Sequence, residues 1–135
     1  MLKMKIIIDT NVLASAVFWG GQPLIILEAW FNEEFELLVT EDIFNEYSRV
    51  LEILSKKYKK DVSAILRLIT VKSQWIVPVK MKTQVCQDID DDKFIACALA
   101  AQGKVIVSGD KLLLECSGYQ HIDIIKPKIF IDNYL

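Results

Sequence analysis

The 135-residue sequence has only one histidine and three cysteines, and this scarcity excludes several kinds of functional site. Because His121 stands alone, neither a histidine-based catalytic triad nor a metal site built from several histidines is expected. Cys86, Cys97 and Cys116 are odd in number and show no CxxC spacing, which argues against a cysteine zinc site. Their pattern predicts a reduced, cytoplasmic protein.

Long apolar runs are also lacking. No stretch approaches the roughly 18 consecutive apolar residues of a membrane-spanning helix. The apolar segment near the N-terminus is too short for a signal peptide, so no association with a membrane is expected. The sequence shows no internal repeat, low-complexity segment or linker. We therefore predict one domain over residues 1–135.

Hydrophobic residues, by contrast, are abundant. They make up 53% of the chain, and the mean hydropathy is +0.30. Such a composition favours strands buried on both faces, as in a parallel sheet covered by helices. Short β-branched runs alternate with helical patterns, which predicts a doubly wound α/β/α fold with a central five-stranded parallel sheet. The predicted strands cover residues 5–8, 36–39, 75–79, 104–108 and 121–125.

Carboxylates occur close to the ends of these predicted strands. Asp9 directly follows the first strand, and Asp110 closely follows the fourth. Glu46 lies at the margin of the apolar face of a helix predicted over residues 41–55, for which Thr40 is a plausible N-cap. Asp92 ends an acidic run that leads into an apolar helix. Since ligands bind at the carboxyl ends of strands in open α/β sheets, we expect these four acids to converge there.

Converging carboxylates without histidine or cysteine favour Mg²⁺ or Mn²⁺ over zinc. One or two such ions in an acidic cleft suit the hydrolysis of phosphodiester bonds. Each acid alone has a plainer explanation. Asp9 could cap the following helix, Glu46 could be a boundary residue, and the acidic run could be a solvated helix cap.

The acidic run itself offers several candidates, because Asp88, Asp90, Asp91 and Asp92 cannot all point in one direction. Asp90 or Asp91 best suits the N-cap of the following helix, whose side chain is used on free backbone amides. Asp92 would then lie in the first turn, on the same face as Ile95. We therefore expect Asp92 to be the metal ligand of this run, and mutation of Asp91 to affect cleavage less than mutation of Asp92.

The formal net charge of −2 means that affinity for nucleic acid would have to come from local basic patches. One such segment is KKYKK, in which Lys56, Lys57, Lys59 and Lys60 surround Tyr58. Lysines around an aromatic ring suit contact with RNA phosphates and stacking of a base. The alternative is a solvated helix end whose cations are favoured by the helix dipole.

Four segments of the sequence resemble the PIN domain family, and within it the VapC-like toxins of toxin–antitoxin pairs. They are IIIDTNVLASAV, TEDIFNEYSRVL, DIDDDKFIACALA and VIVSGDKLLL, and the resemblance that they carry covers essentially the whole chain. The family's D-T/S-N motif falls on Asp9, its helical glutamate on Glu46, its D-x-x-I-A aspartate on Asp92, and its T/S-x-D aspartate on Asp110. The resemblance adds Thr10, Asn11 and Ser108 as supporting residues.

This resemblance implies a Mg²⁺- or Mn²⁺-dependent ribonuclease with a five-stranded parallel sheet. It further implies an RNA substrate, a homodimer, and an antitoxin protein as a silencing partner. The chain departs from the family's pattern at two positions. Leu112 stands where an accessory acid often follows the fourth motif, and Ile89 stands where this subgroup usually has proline.

Two alternatives remain on sequence grounds. One is a receiver-type phosphoacceptor switch, which also has five parallel strands and for which the pair Lys126-Pro127 after an apolar strand is typical. Receivers place an acidic pair at the end of the first strand, however, whereas Asp9 stands alone, and the predicted third strand carries no carboxylate. The other alternative is a PIN domain that binds RNA without cleaving it.

Overall fold

The computed structural model of the protein describes residues 3–102 and 104–135. Strands and helices alternate along this part of the chain, with two additional 3₁₀ turns at Ile89–Asp91 and Tyr119–His121. The elements are β1 (Met4–Ile8), α1 (Thr10–Phe18), α2 (Gly21–Phe31), β2 (Phe35–Val39), α3 (Glu41–Tyr58), α4 (Ser63–Lys72), β3 (Gln74–Trp75), α5 (Asp92–Ala101), β4 (Val105–Val107), α6 (Lys111–Leu114), β5 (Asp123–Ile125) and α7 (Pro127–Tyr134).

The five strands form one parallel sheet in the order β3-β2-β1-β4-β5, which confirms the predicted sheet. β1 is central, with Ile6 opposite Leu37 of β2 on one side and Val105 of β4 on the other. From β1 the chain first builds outward through β2 and β3 and then crosses to β4 and β5. The carboxyl ends of β1 and β4 therefore lie side by side at the point where the winding reverses. Such a switch point is where α/β sheets bind ligands.

The central strands are apolar because helices flank the sheet. Ile6, Ile7 and Ile8 are at most 2% exposed, so side chains on both faces of β1 are buried. α5 packs against β1, β2 and β4, and it contributes Phe94 and Ile95 to the core. An α/β fold with the predicted all-parallel sheet is thus confirmed, and the second half of its central strand β1 is buried on both faces.

α1 and α2 are consecutive apolar helices that meet at a bend of 96°. Gly20 lies between them with a φ of 78°, a left-handed conformation that favours glycine. Among the described residues no single helix is long and apolar enough to cross a membrane, and α1 and α2 reach that length and composition only as a bent pair. Here both helices contribute to the core, for example through Leu13 and Trp30.

Three strands are shorter than predicted, and β4 loses one residue at each end, with Val105–Val107 in place of residues 104–108. β3 was predicted over residues 75–79 but ends at Trp75, after which only Ile76 still donates to the neighbouring strand, to Val39 O at 2.8 Å. Pro78 has no N–H for a sheet ladder, and Val79 N donates to Ala96 O of α5, so the chain has left the sheet. β5 begins at Asp123, because the preceding residues through His121 form a 3₁₀ turn.

α3 begins as predicted but is longer. The Thr40 hydroxyl accepts a hydrogen bond from Ile43 N at 3.2 Å, which confirms Thr40 as its N-cap. The predicted end lies near residue 55, whereas the helix continues to Tyr58 and ends at Lys59 in a left-handed conformation with φ 53°. The lysine run therefore forms the last turn and the C-terminal cap of α3.

Candidate active site

Asp9 and Asp110 lie next to each other in the fold because they follow adjacent parallel strands. Asp9 N donates to Val107 O at 2.9 Å, which continues the ladder between β1 and β4 by one residue. The Asp9 carbonyl then accepts from the first free amides of α1, so the backbone around this buried acid is fixed on both sides. Asp110 caps α6, and its Oδ1 accepts from Leu112 N at 3.0 Å.

Ser108 connects these two acids. Its side chain is fully buried, and its Oγ donates to Asp9 Oδ2 at 2.7 Å. The same oxygen accepts from Asp110 N at 2.9 Å. One hydroxyl group therefore sets the direction of the Asp9 carboxylate and the position of the Asp110 backbone. Partners of this kind orient ligating carboxylates in metal sites.

Glu46 reaches the same region from the first half of α3. Its Oε2 accepts a hydrogen bond from the Thr10 hydroxyl at the start of α1. Its Oε1 lies 2.8 Å from Lys93 Nζ, and the Lys93 and Glu46 side chains are only 21% and 16% exposed. Sequence reasoning missed Lys93. The available signal was its place directly after the acidic run, in the first turn of a buried helix.

Asp92 is not brought to these acids. Its Oδ2 accepts from Val85 N at 3.0 Å, and its Oδ1 accepts from Cys86 N at 2.7 Å. Both oxygens of this buried carboxylate therefore hold the backbone of the loop that precedes the acidic run. Asp92, which the sequence predicts as a metal ligand, thus has both carboxylate oxygens engaged by backbone N–H groups.

Asp91 occupies the position that was expected of Asp92. Its side chain is 8% exposed, and Oδ2 has no hydrogen-bond partner among the described residues. Burial raises the pKa of Asp91 to about 7, and the neighbouring charges of Asp110, Asp9, Asp88 and Glu46 contribute to that increase. Asp91 is thus close enough to Asp9, Glu46 and Asp110 for their charges to interact. We call these four residues the acid cluster.

A 3₁₀ turn directly ahead of α5 explains the exchange. Asp88, rather than Asp90 or Asp91, caps the chain here, and its Oδ1 accepts from Asp90 N at 3.0 Å. Asp91 stands at the N-cap position of α5, as expected, but its side chain makes no capping hydrogen bond. α5 begins at Asp92, and successive helical residues differ in direction by about 100°. The side chains of Asp91 and Asp92 consequently face different surroundings.

The acid cluster is electrostatically unfavourable in the absence of a cation. Burial raises the pKa of Asp9, and the charges of Asp110 and Glu46 raise it further, against hydrogen bonds from Ser108 and the Thr10 backbone that lower it. Lys93 offsets the negative charge only at Glu46. Buried like charges of this kind favour either a proton or a bound cation.

The donor chemistry of the acid cluster fits a hard divalent cation, although the four acids do not form a ready cage. In residues 3–102 and 104–135 no group of three or more histidine, cysteine, aspartate or glutamate side chains is arranged to hold a metal ion. Asp9 is hydrogen-bonded to Ser108, and Glu46 is bonded to Thr10 and Lys93. The donors are oxygens only, and the unpartnered Asp91 oxygen matches the preference of Mg²⁺ and Mn²⁺.

Clefts flank the acid cluster. One of about 550 Å³ is lined by Asn11, Ser15 and Asp110, among others, and another of about 410 Å³ is lined by residues that include Thr40 and Lys93. Asn11, predicted as a supporting residue, is exposed in the first cleft. A slightly larger cleft of about 570 Å³ lies at the amino-terminal end of the strands, away from every carboxylate of the cluster. The first cleft is lined by an acid of the cluster and is therefore a route to it, whereas the second reaches Lys93, the ion-pair partner of Glu46.

The predicted RNA-contacting residues are exposed, but they lie at the far end of α3 from Glu46. Tyr58 packs against Phe18 at the end of α1, with ring centroids 6.0 Å apart. Lys60 Nζ donates to Val17 O at 2.5 Å, so this lysine caps α1. No ion pair within 4 Å joins Lys56, Lys57, Lys59 or Lys60 to any acid in the described part of the chain.

Comparison with known proteins agrees with this geometry. A family model described as PIN domain matches residues 5–112. The chain is also similar to the uncharacterized protein MJ1680 of Methanocaldococcus jannaschii, with 31% identity over 145 aligned positions that cover 98% of this chain and 93% of the relative. The receiver alternative fails on topology, because that fold has the strand order 2-1-3-4-5, whereas β1 here lies between β2 and β4. The chain therefore belongs to the PIN domain family, whose members are generally nucleases.

Proposed function

We propose that the protein is a Mg²⁺- or Mn²⁺-dependent ribonuclease that hydrolyses phosphodiester bonds at the acid cluster. The observation that carries this proposal is Asp91. Its buried carboxylate has an unpartnered oxygen and a pKa of about 7, beside three other acids. A carboxylate so placed needs a proton or a cation. Membership of a family of nucleases supports the reaction class.

Asp9, Asp91 and Asp110 would hold the ion, with Glu46 as the fourth ligand. A divalent cation at this position would supply an activated water and would offset charge on the phosphate during cleavage. The set contains no nitrogen or sulfur donor, which is why we propose Mg²⁺ or Mn²⁺ as the cofactor. Asp91 thereby replaces Asp92 in the quartet that the sequence predicted.

The remaining polar residues of the site position the acids. The Ser108 hydroxyl fixes Asp9 and Asp110, and the Thr10 hydroxyl holds one oxygen of Glu46. Lys93 offsets the charge of the other Glu46 oxygen. Its ammonium group also borders a cleft, where an approaching RNA phosphate would meet a cation.

RNA as the substrate, an antitoxin protein as a partner, a homodimer and a cytoplasmic location follow from the resemblance to the toxin subgroup and from composition. All four are proposals. A PIN domain that binds RNA without cleaving it is the competing function. The four assembled acids favour cleavage, because binding of RNA phosphates alone is not helped by negative charge.

The proposal is tested by incubating the purified protein with single-stranded and structured RNA in Mg²⁺, Mn²⁺ or EDTA. We expect cleavage that requires metal and that is lost in Asp9→Asn. Asp132→Asn is the matched control, because it removes an exposed acid on α7 far along the chain from the site. Cleavage that persists in EDTA or in Asp9→Asn would overturn the mechanism. Binding without cleavage in any metal would favour the competing function.

A further inference from the structure

An exposed surface at the ends of α1 and α3 combines aromatic rings with lysines. We call it the aromatic–lysine patch. Trp19 and Tyr58 are 59% and 46% exposed. Their ring centroids are 5.6 Å apart at an interplanar angle of 83°, and Phe18 lies 6.0 Å from each. The members of the patch are Phe18, Trp19, Lys56, Lys57, Tyr58, Lys59 and Lys60.

The geometry of the rings leaves stacking surface uncovered. In an edge-to-face pair, the ring that presents its edge keeps both faces free of its partner. The two helix ends that carry Trp19 and Tyr58 are also fixed to each other. Lys60 Nζ donates to Val17 O, and the Ser55 hydroxyl donates to Lys60 O, both at 2.5 Å. The rings are thus held ready for a flat partner before that partner arrives.

The charge of the patch selects the kind of partner. Four of the five residues from Lys56 to Lys60 are cationic in a chain whose net charge is −2. Lys57 Nζ lies 5.4 Å from the centre of the Tyr58 ring. Positive charge beside exposed aromatic faces is the combination by which proteins bind single-stranded nucleic acid, with phosphates near the cations and bases on the rings.

The same two helices join the patch to the acid cluster. α1 and α3 are in contact at Thr10 and Glu46 beside the acids, and again at Phe18 and Tyr58 in the patch. At 1.5 Å per residue, these contacts are about 12 Å apart along α1 and about 18 Å apart along α3.

One face of α1 links the cleft beside Asp110 to the patch. Asn11, Ser15 and Trp19 are spaced by four residues and therefore lie in one row. Asn11 and Ser15 line that cleft, and Trp19 is part of the patch. An extended strand that leaves the acid cluster along this row meets polar side chains first and then the exposed rings.

We propose that the aromatic–lysine patch binds unpaired nucleotides of the RNA substrate, within about five positions of the bond that is cleaved. About five is the upper limit, because about 18 Å divided by the 3.4 Å spacing of stacked nucleotides is about five, and an extended strand covers the same distance with fewer nucleotides. The bases must be unpaired, because those of a duplex are already stacked and cannot reach the rings. This inference rests on the proposed ribonuclease function and assigns to it a single-stranded substrate.

The test is RNA binding in EDTA, where no cleavage is expected, measured by fluorescence anisotropy of a short labelled single strand and of the same strand annealed to its complement. Each of Trp19→Ala and Tyr58→Ala is expected to weaken binding of the single strand about fivefold or more. Binding of the duplex should change little. Tyr119→Ala, which removes an exposed tyrosine outside the patch, is the matched control and should bind like the wild type.

A crosslink gives a second readout that does not depend on affinity. A photoreactive uridine placed at one of the first five positions from the cleavage site should crosslink to the peptide that contains Trp19 or Tyr58. Unchanged affinity in both alanine variants, with crosslinks elsewhere, would overturn the proposal. The same holds if these variants bind RNA normally and instead lose self-association in sedimentation, because the patch would then be a contact between copies of the chain.

The outcomes also separate this proposal from the proposed function. A wild-type protein that binds RNA through Trp19 and Tyr58 but never cleaves it would contradict the nuclease and support the patch as a binding surface. A wild-type protein that cleaves RNA, while both alanine variants bind equally well, would contradict the patch alone. Lys57→Gln should flatten the salt dependence of binding without lowering the melting temperature, as expected for a phosphate contact.

Discussion

Two regions of the protein are rich in carboxylates, and they place them in different ways. At the strand ends, Asp9 and Asp110 are positioned by the ladder between β1 and β4 and by the shared hydroxyl of Ser108. In the acidic run, a 3₁₀ turn passes directly into α5, so that adjacent aspartates point in different directions. Strand ends therefore bring acids together in a predictable way, whereas the run separates them according to where the helix begins.

Asp91 and Asp92 show what this difference means for function. Asp92 accepts hydrogen bonds from Val85 N and Cys86 N, so its negative charge is already stabilised by the fold. One oxygen of Asp91 has no partner, and its burial is unfavourable for the charged form. A carboxylate whose oxygens already accept hydrogen bonds from the fold stabilises the structure, whereas one with an unpaired oxygen is available to bind a ligand.

The largest expected effect is the loss of cleavage in Asp91→Asn. Mutating an outer partner, a residue that only hydrogen-bonds to a metal ligand, typically lowers activity roughly 10- to 100-fold. Asp91 would contact the metal itself, so we expect the cleavage rate of Asp91→Asn to fall by more than that. The fold should remain intact, because the mutation removes charge repulsion and breaks no hydrogen bond at Oδ2. Cleavage rates at saturating Mg²⁺ measure the effect, and Asp90→Asn, an exposed neighbour, is the control. A fully active Asp91→Asn enzyme would contradict the assignment.

Removing the outer partner itself should have the next largest effect. Ser108→Ala leaves Asp9 without its hydroxyl donor and Asp110 N without its acceptor. We expect metal affinity or cleavage to fall about 10- to 100-fold. Ser73→Ala is a matched control, because Ser73 is also buried but its Oγ has no hydrogen-bond partner in the described part of the chain. Equal activity in the two serine variants would mean that Ser108 does not orient the acids.

Asp92→Asn should act mainly on stability. An asparagine side chain has one acceptor oxygen, so its NH₂ group would face one of the two backbone N–H donors at Val85 and Cys86. Leaving a buried donor unpaired costs about 1–3 kcal/mol, which lowers the melting temperature by several degrees. Thermal unfolding in EDTA measures the loss. A melting temperature equal to that of the wild type would show that these hydrogen bonds do not hold the loop.

Asp91 also predicts a pH dependence of stability in the metal-free protein, where no effect on cleavage is involved. The pKa of Asp91 is about 7 in the folded protein, whereas that of an unfolded aspartate is about 4. Between these two pH values the folded state therefore binds one proton more than the unfolded state. The associated stability is present below about pH 4 and is lost as the pH rises through about 7. Asp91→Asn should therefore gain several degrees relative to the wild type at about pH 8, and less than half as much at about pH 5. A constant difference between the two pH values would contradict the raised pKa.

Much of the fold follows from the sequence for a physical reason. The β-branched run before Asp9 and the apolar run before Ser108 can only be buried strands, and parallel strands align their carboxyl ends. Asp9 and Asp110 therefore follow two neighbouring strands, as predicted, and Thr40 caps α3. The prediction of β3 was too long, because Val77 and Val79 are apolar but exposed, and Pro78 removes the donor that a longer strand would need.

The acidic run was harder to predict, because the start of a helix depends on which of several similar residues becomes its cap. Asp88, Asp90 and Asp91 are chemically equivalent as caps. The deciding contacts join Asp92 to Val85 and Cys86 in an irregular loop, and no periodic pattern of the sequence reveals such contacts. The sequence predicted only the Lys56–Lys60 part of the aromatic–lysine patch, because Trp19 and Tyr58 are distant in sequence and come together only in the fold.

The most direct test of the account is a Mn²⁺ titration of thermal stability in the wild type, Asp91→Asn and Asp92→Asn. A ligand at ten times its dissociation constant stabilises a protein by about 1.4 kcal/mol, which corresponds to a shift of a few degrees in this domain. We expect Mn²⁺ to raise the melting temperature of the wild type and of the less stable Asp92→Asn by similar amounts, and to leave Asp91→Asn unchanged. A shift that is retained in Asp91→Asn and lost in Asp92→Asn would contradict the account and would return the ligand to Asp92.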